Sequence, residues 1–310
     1  VAVKNKKSKF KPFRSKLLLF GEHIINTGAK GLAIPTDQFT GTFDFITEEW
    51  NEEAVASNRA VQELAEYIIH DAELEPLYDT NQLLTDLEHG LYFRSNIPQG
   101  YGLGSSGALV AALCTHYRLK PINKKDLTAV KLELAKLESF FHGKSSGLDP
   151  LVSFLDKAVL LDKGEVKEAF DLTTTEKNFF TVFLINTHKP RKTAPYVKLF
   201  LSKCKDEKFK AMLDESLVKA NDICIKSFLK PGYSNFWKSL KLISQIHYDH
   251  LPEFTPDPYK QIWRQGLVNN EFYLKICGAG GGGFILGFCK KDIGIRNILS
   301  GYEIIEVMQF

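Results

Sequence analysis

An α+β fold in two halves is what this sequence predicts, and three observations predict it. Short strand-like apolar runs and one-sided helical patterns alternate up to about Thr187. From Thr193 to Asn269 helical periodicity takes over, broken at Pro231-Gly232 and again near Pro252 to Pro258. Strand patterns then return at Tyr273 to Ile276, Phe284 to Phe288 and Glu303 to Phe310. These shifts put a boundary near residues 187–192. They divide the 310 residues into 1–187 and 188–310, each long enough to bury a core.

The first half reads element by element. Lys16 to Phe20 is a short apolar strand, and Leu32 to Pro35 and Thr40 to Thr47 are two more. Asn51 to Asp71 carries Val55, Ala60, Val61, Leu64, Ala65, Tyr67 and Ile68 in a one-sided helical pattern. His89 to Ile97 alternates as a strand, with Leu91 and Phe93 on the same side. Leu109 to Tyr117 and Lys124 to Phe141 read as helices. Ala158 to Leu161 and Val166 to Phe170 form a hairpin around Lys163-Gly164, and Phe179 to Ile185 is a buried strand.

Composition narrows the class. Apolar residues at 44% and charged residues at 25% describe a globular chain, and a net charge of +3 makes no general case for nucleic acid. Lys4, Lys6, Lys7, Lys9, Lys11, Arg14 and Lys16 precede the first acidic residue, Glu22. They read as a solvated leader to the first strand, with Lys16 belonging to the fold; no base-stacking aromatic pattern accompanies them. Five scattered cysteines without a Cys-x-x-Cys pair point away from zinc and towards a reducing, cytoplasmic setting. No uncharged run of about 18 residues predicts a membrane span.

Three clusters carry the chemistry. The run Gly100-Tyr101-Gly102-Leu103-Gly104-Ser105-Ser106-Gly107 stands directly before an apolar helix. A flexible loop at a helix N-terminus offers unpartnered N–H groups and the positive dipole end to phosphate, although a Gly/Ser turn also serves as a plain cap. It is not a Walker A loop, since no Gly-Lys-Ser/Thr follows four variable residues. Gly278-Ala279-Gly280-Gly281-Gly282-Gly283 puts five glycines in six positions between two strands. Such a backbone suits close approach to a ligand or another loop, or a wide hairpin turn. The third cluster runs from Glu138, late in a helix where the dipole disfavours a carboxylate, to Asp149 before Pro150. Read locally, Asp149 either caps the following short helix or carries chemistry.

Arg14 to His23, the Gly102 to Ser106 loop and the Gly278 to Gly283 loop together resemble, in order and spacing, the three signature motifs of the GHMP kinases. Within that family the pattern is most similar to the mevalonate kinases: Lys16 lies seven residues before His23, and Glu138 lies eleven before Asp149 in a Glu…His-Gly-x-x-Ser-Gly-x-Asp frame. Asn186-Thr187 to Thr193 likewise resembles the stretch that opens the second domain of those enzymes. Arg14-Ser15 departs from the pattern, which has Pro-Gly before the lysine.

The resemblance implies a two-domain GHMP kinase fold, with an N-terminal half like domain 2 of ribosomal protein S5 and a C-terminal ferredoxin-like, helical half. It implies ATP and Mg²⁺ as cofactors and a small-molecule alcohol, mevalonate foremost, as acceptor. Asp149 is then the base and Lys16 its partner, with Glu22 orienting Lys16. Gly102, Leu103, Gly104, Ser105, Ser106 and Gly107 hold the phosphates, and Ser106 and Glu138 hold the metal. Glu22, His23, Arg191, Thr193, Gly280 and Gly281 fall to the acceptor, His23, Thr193 and Arg191 towards its carboxylate and hydroxyls. Alternatives are another acceptor of the family, phosphomevalonate or a sugar, and a catalytically silent nucleotide sensor. Thr193 to Asn269 offers a candidate homodimer face.

Overall fold

The computed structural model describes residues 10–47, 51–172, 180–229 and 235–309. The basic positions Lys4, Lys6, Lys7 and Lys9, the Pro231-Gly232 break, Phe179 and Phe310 lie outside the described residues. The described chain is mixed α and β, with two sheets. It divides into two compact units that interleave in sequence. One takes the described residues up to Lys16, Pro35–Ile97 and Gly104–Lys157; the other takes Leu17–Ile34, Pro98–Leu103 and the chain from Ala158 on. The division expected at 187/188 falls inside the second unit.

Strands β1 (Phe13–Phe20) and β2 (Gly31–Phe45) each run through both units. β2 is one strand where the sequence predicts two. Pro35 sits between the stretch that pairs with β4 (Ala158–Asp162), Gly31 to Ala33, and the stretch that pairs with β3 (Leu91–Ser95), Gly41 to Phe45. Its missing N–H therefore breaks neither ladder.

In the first unit five helices gather around β3 and the end of β2. They are α1 (Glu52–Ile69), α2 (Thr80–Glu88), α3 (Ser105–Tyr117), α4 (Leu127–His142) and α5 (Leu148–Leu155). Asn51 caps α1 by accepting the Ala54 N–H, and Glu52 and Glu53 suit the positive end of its dipole. Val61, Leu64, Ala65 and Ile68 of the predicted stripe are fully buried, whereas Val55, in the first turn, is exposed. Asn58, also buried, donates to Leu87 O at 3.2 Å and Leu91 O at 2.6 Å, fastening α1 to the α2–β3 turn. α2 has no counterpart in the sequence reading. α3 is apolar almost all round and buried from Gly107 to Cys114, so it runs through the core of its unit.

In the second unit β4 and β5 (Glu165–Phe170) form the expected hairpin, with positive φ at Lys163 and Gly164 in the turn. The other sheet has the order β7-β8-β6-β9, from β6 (Phe180–Asn186), β7 (Phe272–Ile276), β8 (Phe284–Lys290) and β9 (Ile304–Gln309). Its strands pair antiparallel, and β6 lies between β8 and β9. Around it lie α6 (Thr193–Lys203), α7 (Glu207–Met212), α8 (Val218–Leu229), α9 (Phe236–His250) and α10 (Lys260–Asn269), with a short α11 (Ile295–Ile298). A π-helical turn, Leu213–Leu217, joins α7 to α8. Phe20, Phe180, Phe236 and Phe288 form an aromatic core; Phe180 stacks on Phe236 with centroids 4.9 Å apart, and Phe20 on Phe288 at 5.7 Å. No disulfide links the five cysteines.

Candidate active site

Local backbone chemistry places the charged groups of the first unit. β1 delivers Lys16 with its side chain only 8% exposed, and Lys16 Nζ meets Asp149 Oδ1 at 2.7 Å. Asp149 is the second residue of α5. It does not cap that helix: the N-cap is Gly147, in a left-handed conformation and without a side-chain cap bond. The carboxylate is thereby left for Lys16, inside the first turn, where the dipole favours negative charge.

α3 and α5 pack closely enough to require glycine. A Cβ on Gly107 would lie 2.7 Å from the carbonyl carbon of Asp149, and one on Gly104 would lie 3.3 Å from its Oδ2. Gly104, at φ 73°, is the N-cap of α3 and has no side-chain cap bond, so Ser105, Ser106 and Gly107 form the first helical turn beside Asp149. The helix thus begins four residues earlier than Leu109, where the sequence pattern starts it.

Glu138 and Ser106 meet as expected. Ser106 Oγ donates to Glu138 Oε1 at 3.1 Å and lies 3.1 Å from His142 Nε2. Ser145 Oγ donates to Glu138 Oε2. Burial, then the neighbouring Asp149 charge, pushes the Glu138 carboxyl up to about 7, against the pull of Ser145, Ser106 and Lys16. A carboxylate so placed is short of positive charge, and with the Ser106 hydroxyl it makes a hard oxygen donor pair that fits Mg²⁺. Among the described residues no three His, Cys, Asp or Glu side chains gather to hold an ion. Two protein oxygens suit a Mg²⁺ that completes its shell with nucleotide phosphates and water.

Arg14 and Ser15, the departure from the motif, have clear partners. Arg14 Nε reaches Asp156 Oδ1 at 2.6 Å and Nη1 reaches Asp37 Oδ1 at 2.8 Å. Ser15 Oγ bonds Thr36 Oγ1 at 2.5 Å, and Ser153 Oγ donates to Arg14 O at 2.8 Å. These bonds fasten β1 to both ends of its surroundings, the C-cap of α5 and the middle of β2, and Lys16 still meets Asp149.

The second unit holds the remaining predicted residues around its glycine loops. The guanidinium of Arg191 lies against Gly102 and Gly278; its Nη1 donates to Thr193 Oγ1 at 3.0 Å and its Nη2 to Cys277 O at 3.4 Å. Its N–H bonds Gly100 O at 3.1 Å. Leu103 is buried. The Gly278 to Gly283 loop has positive φ at every glycine, and Gly283 abuts the backbone of Tyr101. Gly280 packs on Phe254, and Gly281 on Tyr196, with the Gly281 N–H bonded to Phe254 O at 2.6 Å. This loop joins the antiparallel neighbours β7 and β8, so it is a wide hairpin connection, and its packing also makes it a backbone brace within its unit.

Glu22 and His23 have partners that the sequence does not predict. Glu22, expected to orient Lys16, pairs with Lys275, both almost wholly buried; Lys275 Nζ also donates to Leu19 O at 3.1 Å. His23, expected to face a carboxylate, is neutral. Burial lowers it to about 4, and its ring stacks on Phe200 and meets the edge of Phe254, each at 4.8 Å. His23 Nε2 donates to Ala279 O at 3.0 Å, which leaves Nδ1 with a lone pair. A lone pair receives a hydroxyl hydrogen and repels a carboxylate. Sequence reasoning also missed Lys275, Ser145 and the Ser106 contact of His142. Only Lys275 carried a signal, a lysine inside an otherwise apolar strand.

Comparison with known proteins gives a domain match and a shared fold. Residues 58–157 match the GHMP kinases N terminal domain. No curated protein matches the chain in sequence. Among solved structures, the mevalonate kinase of L. major in complex with R-mevalonate superposes with a TM-score of 0.65 at 14% identity, covering 100% of this chain and 98% of that one. The mevalonate kinase of Methanococcus jannaschii gives 0.63 at 16% identity, covering 99% and 100%. The phosphomevalonate kinase of Streptococcus pneumoniae gives 0.62 at 12% identity, covering 98% and 99%. These likenesses establish the fold, and the named enzymes act on different acceptors. Residues 58–157 thus carry a match to the GHMP kinases N terminal domain, and the chain shares the fold of these kinases over nearly its whole length.

Proposed function

We propose that this protein transfers the γ-phosphoryl group of ATP to a primary alcohol, with mevalonate as the acceptor. The observation that carries the reading is the Lys16–Asp149 pair at 2.7 Å, set beside the first turn of α3 and the Ser106–Glu138 pair. A neutral hydroxyl is a poor nucleophile and the triphosphate is crowded with negative charge. Catalysis of such a transfer is positioning, charge neutralisation and the removal of one proton.

Each residue has a task in that scheme. Asp149 accepts the hydroxyl proton as the new O–P bond forms; a carboxylate is too weak a base to do so beforehand. Lys16 holds the Asp149 carboxylate in place and stabilises negative charge developing on the acceptor oxygen. The N–H groups of Gly104 to Gly107 receive the phosphates, and glycine at 104 and 107 keeps that turn against Asp149. Ser106 and Glu138 would hold Mg²⁺, whose chemistry when bound is neutralisation of charge on the phosphate oxygens. In the second unit, motif resemblance assigns Gly102 and Leu103 to the phosphates, and Glu22, His23, Arg191, Thr193, Gly280 and Gly281 to the acceptor. Within that group Glu22 and Arg191 act by holding the loops, and His23 offers an acceptor nitrogen to a hydroxyl.

The test is ADP release from purified protein with Mg-ATP and a panel of mevalonate, phosphomevalonate, galactose, homoserine and buffer. Turnover on mevalonate above the others supports the proposal. Turnover on another member keeps the phosphoryl transfer and replaces the acceptor, and no turnover on any acceptor overturns both.

A further inference from the structure

Ser145 occupies one of the variable positions between Glu138 and Asp149, yet its hydroxyl bridges two parts of the site. It donates to Glu138 Oε2 and accepts the Gly147 N–H at 2.9 Å. Its own N–H goes to Ser139 Oγ at 3.2 Å, and Ser139 Oγ donates to Ala135 O at 2.7 Å. The backbone of Ser145 is thus anchored to α4 while its side chain reaches across. Glu138, only 4% exposed, has its oxygens divided between two hydroxyls, Oε1 to Ser106 and Oε2 to Ser145. The terminal torsion of a glutamate is soft, so a bond at each oxygen is what selects one orientation of the carboxylate. The far end of the bridge, Gly147, is the N-cap of α5, two residues before Asp149.

We propose that Ser145 is a positioning residue for the cation site. Its hydroxyl pins Glu138 with Oε1 towards Ser106, and ties that carboxylate to the turn that sets Asp149. The assignment rests on the phosphoryl-transfer reading above, in which Ser106 and Glu138 hold the metal. Metal-ligating carboxylates are themselves held by hydrogen bonds, and removing such a partner costs about 10–100-fold in metal affinity. Loss of this hydroxyl therefore falls on the metal and not on the nucleotide.

The experiment uses the full chain with ATP and measures bound Mn²⁺ from the loss of the free-ion electron paramagnetic resonance signal, alongside ATP affinity without metal. Ser145→Thr and Ser145→Val have the same shape and differ in the hydroxyl, and Ser145→Ala is a second loss variant should valine unfold the protein. The valine and alanine variants are expected to bind Mn²⁺ about tenfold more weakly, with threonine within about threefold of the unaltered chain and metal-free ATP affinity constant. Turnover at limiting Mg²⁺ should fall in the same order and recover at saturating Mg²⁺. Equal Mn²⁺ binding by all variants overturns the role of Ser145 while the reading stands. A threonine variant as weak as valine overturns it too, since the hydroxyl is then not the cause. If the unaltered chain binds no Mn²⁺ in the presence of ATP, the phosphoryl-transfer reading fails and the assignment falls with it.

Discussion

Asp149 has two neighbours that fix its behaviour, Lys16 at 2.7 Å and a glycine at 107 that lets α3 approach it. Asp149→Asn keeps the shape and removes the base, so kcat should fall by several orders while ATP affinity changes little. A variant retaining more than about a tenth of the activity has lost under ~1.4 kcal/mol of barrier stabilisation, and Asp149 is then not the base. His23 makes a prediction of a different kind. Its value falls from an ordinary 6.5 when unfolded to about 4 when folded, so between those pH values the unfolded chain holds the extra proton. Stability contributed by neutral His23 is present above 6.5 and is lost as pH falls towards 4. Between pH 7 and pH 5 the loss is about 2 kcal/mol from this group. His23→Asn, which tolerates the positive φ at that position, should show a correspondingly smaller loss in urea unfolding at the two pH values. The sequence made Lys16, Ser106, Glu138 and Asp149 legible because their spacing is a motif. It hid the partner of Glu22, since Lys275 stands 253 residues away, and it hid Ser145, whose role depends on how a turn folds back on α4.

Packing of α3 on α5 makes the element scale the most sensitive to small changes. Gly107→Ala would set a methyl group 2.7 Å from the Asp149 carbonyl carbon and the Pro150 nitrogen, and backbone atoms cannot swing aside. Overpacking of this kind costs about 1–3 kcal/mol, and relief requires α5 to shift and carry Asp149 with it. The expected result is a lower urea midpoint together with a lower kcat; a variant with unchanged kcat would mean that the helices separate without moving the carboxylate. Elements were legible where a periodic apolar pattern decided them, as in α1 and the β4–β5 hairpin. The pattern failed at the start of α3, because glycine and serine signal a loop while the packing of Gly107 and Ala108 pulls them into the helix. It failed at β2 as well, where Pro35 reads as a break but falls between two ladders.

At the scale of the whole chain, neither unit is a continuous stretch of sequence. A cut at 187/188 leaves β6 on one side and its two neighbours, β8 and β9, on the other. It also leaves Lys275 buried-type but without Glu22. A fragment of residues 188–310 should accordingly show no cooperative thermal transition by circular dichroism, and a sharp transition would show that the remaining helices and strands suffice. The texture change near residue 187 marks where the run of helices α6 to α10 begins, which composition reveals, and not where the long-range strand pairing divides, which composition cannot.

The buried Glu22–Lys275 pair also sets a timetable for synthesis on the ribosome. Glu22 is synthesised 253 residues before its partner. At ~5–20 residues per second that interval is roughly tens of seconds. Throughout it the apolar run Leu17 to Phe20 is without Lys275 and Phe288, which in the folded chain bond Leu19 O and stack on Phe20.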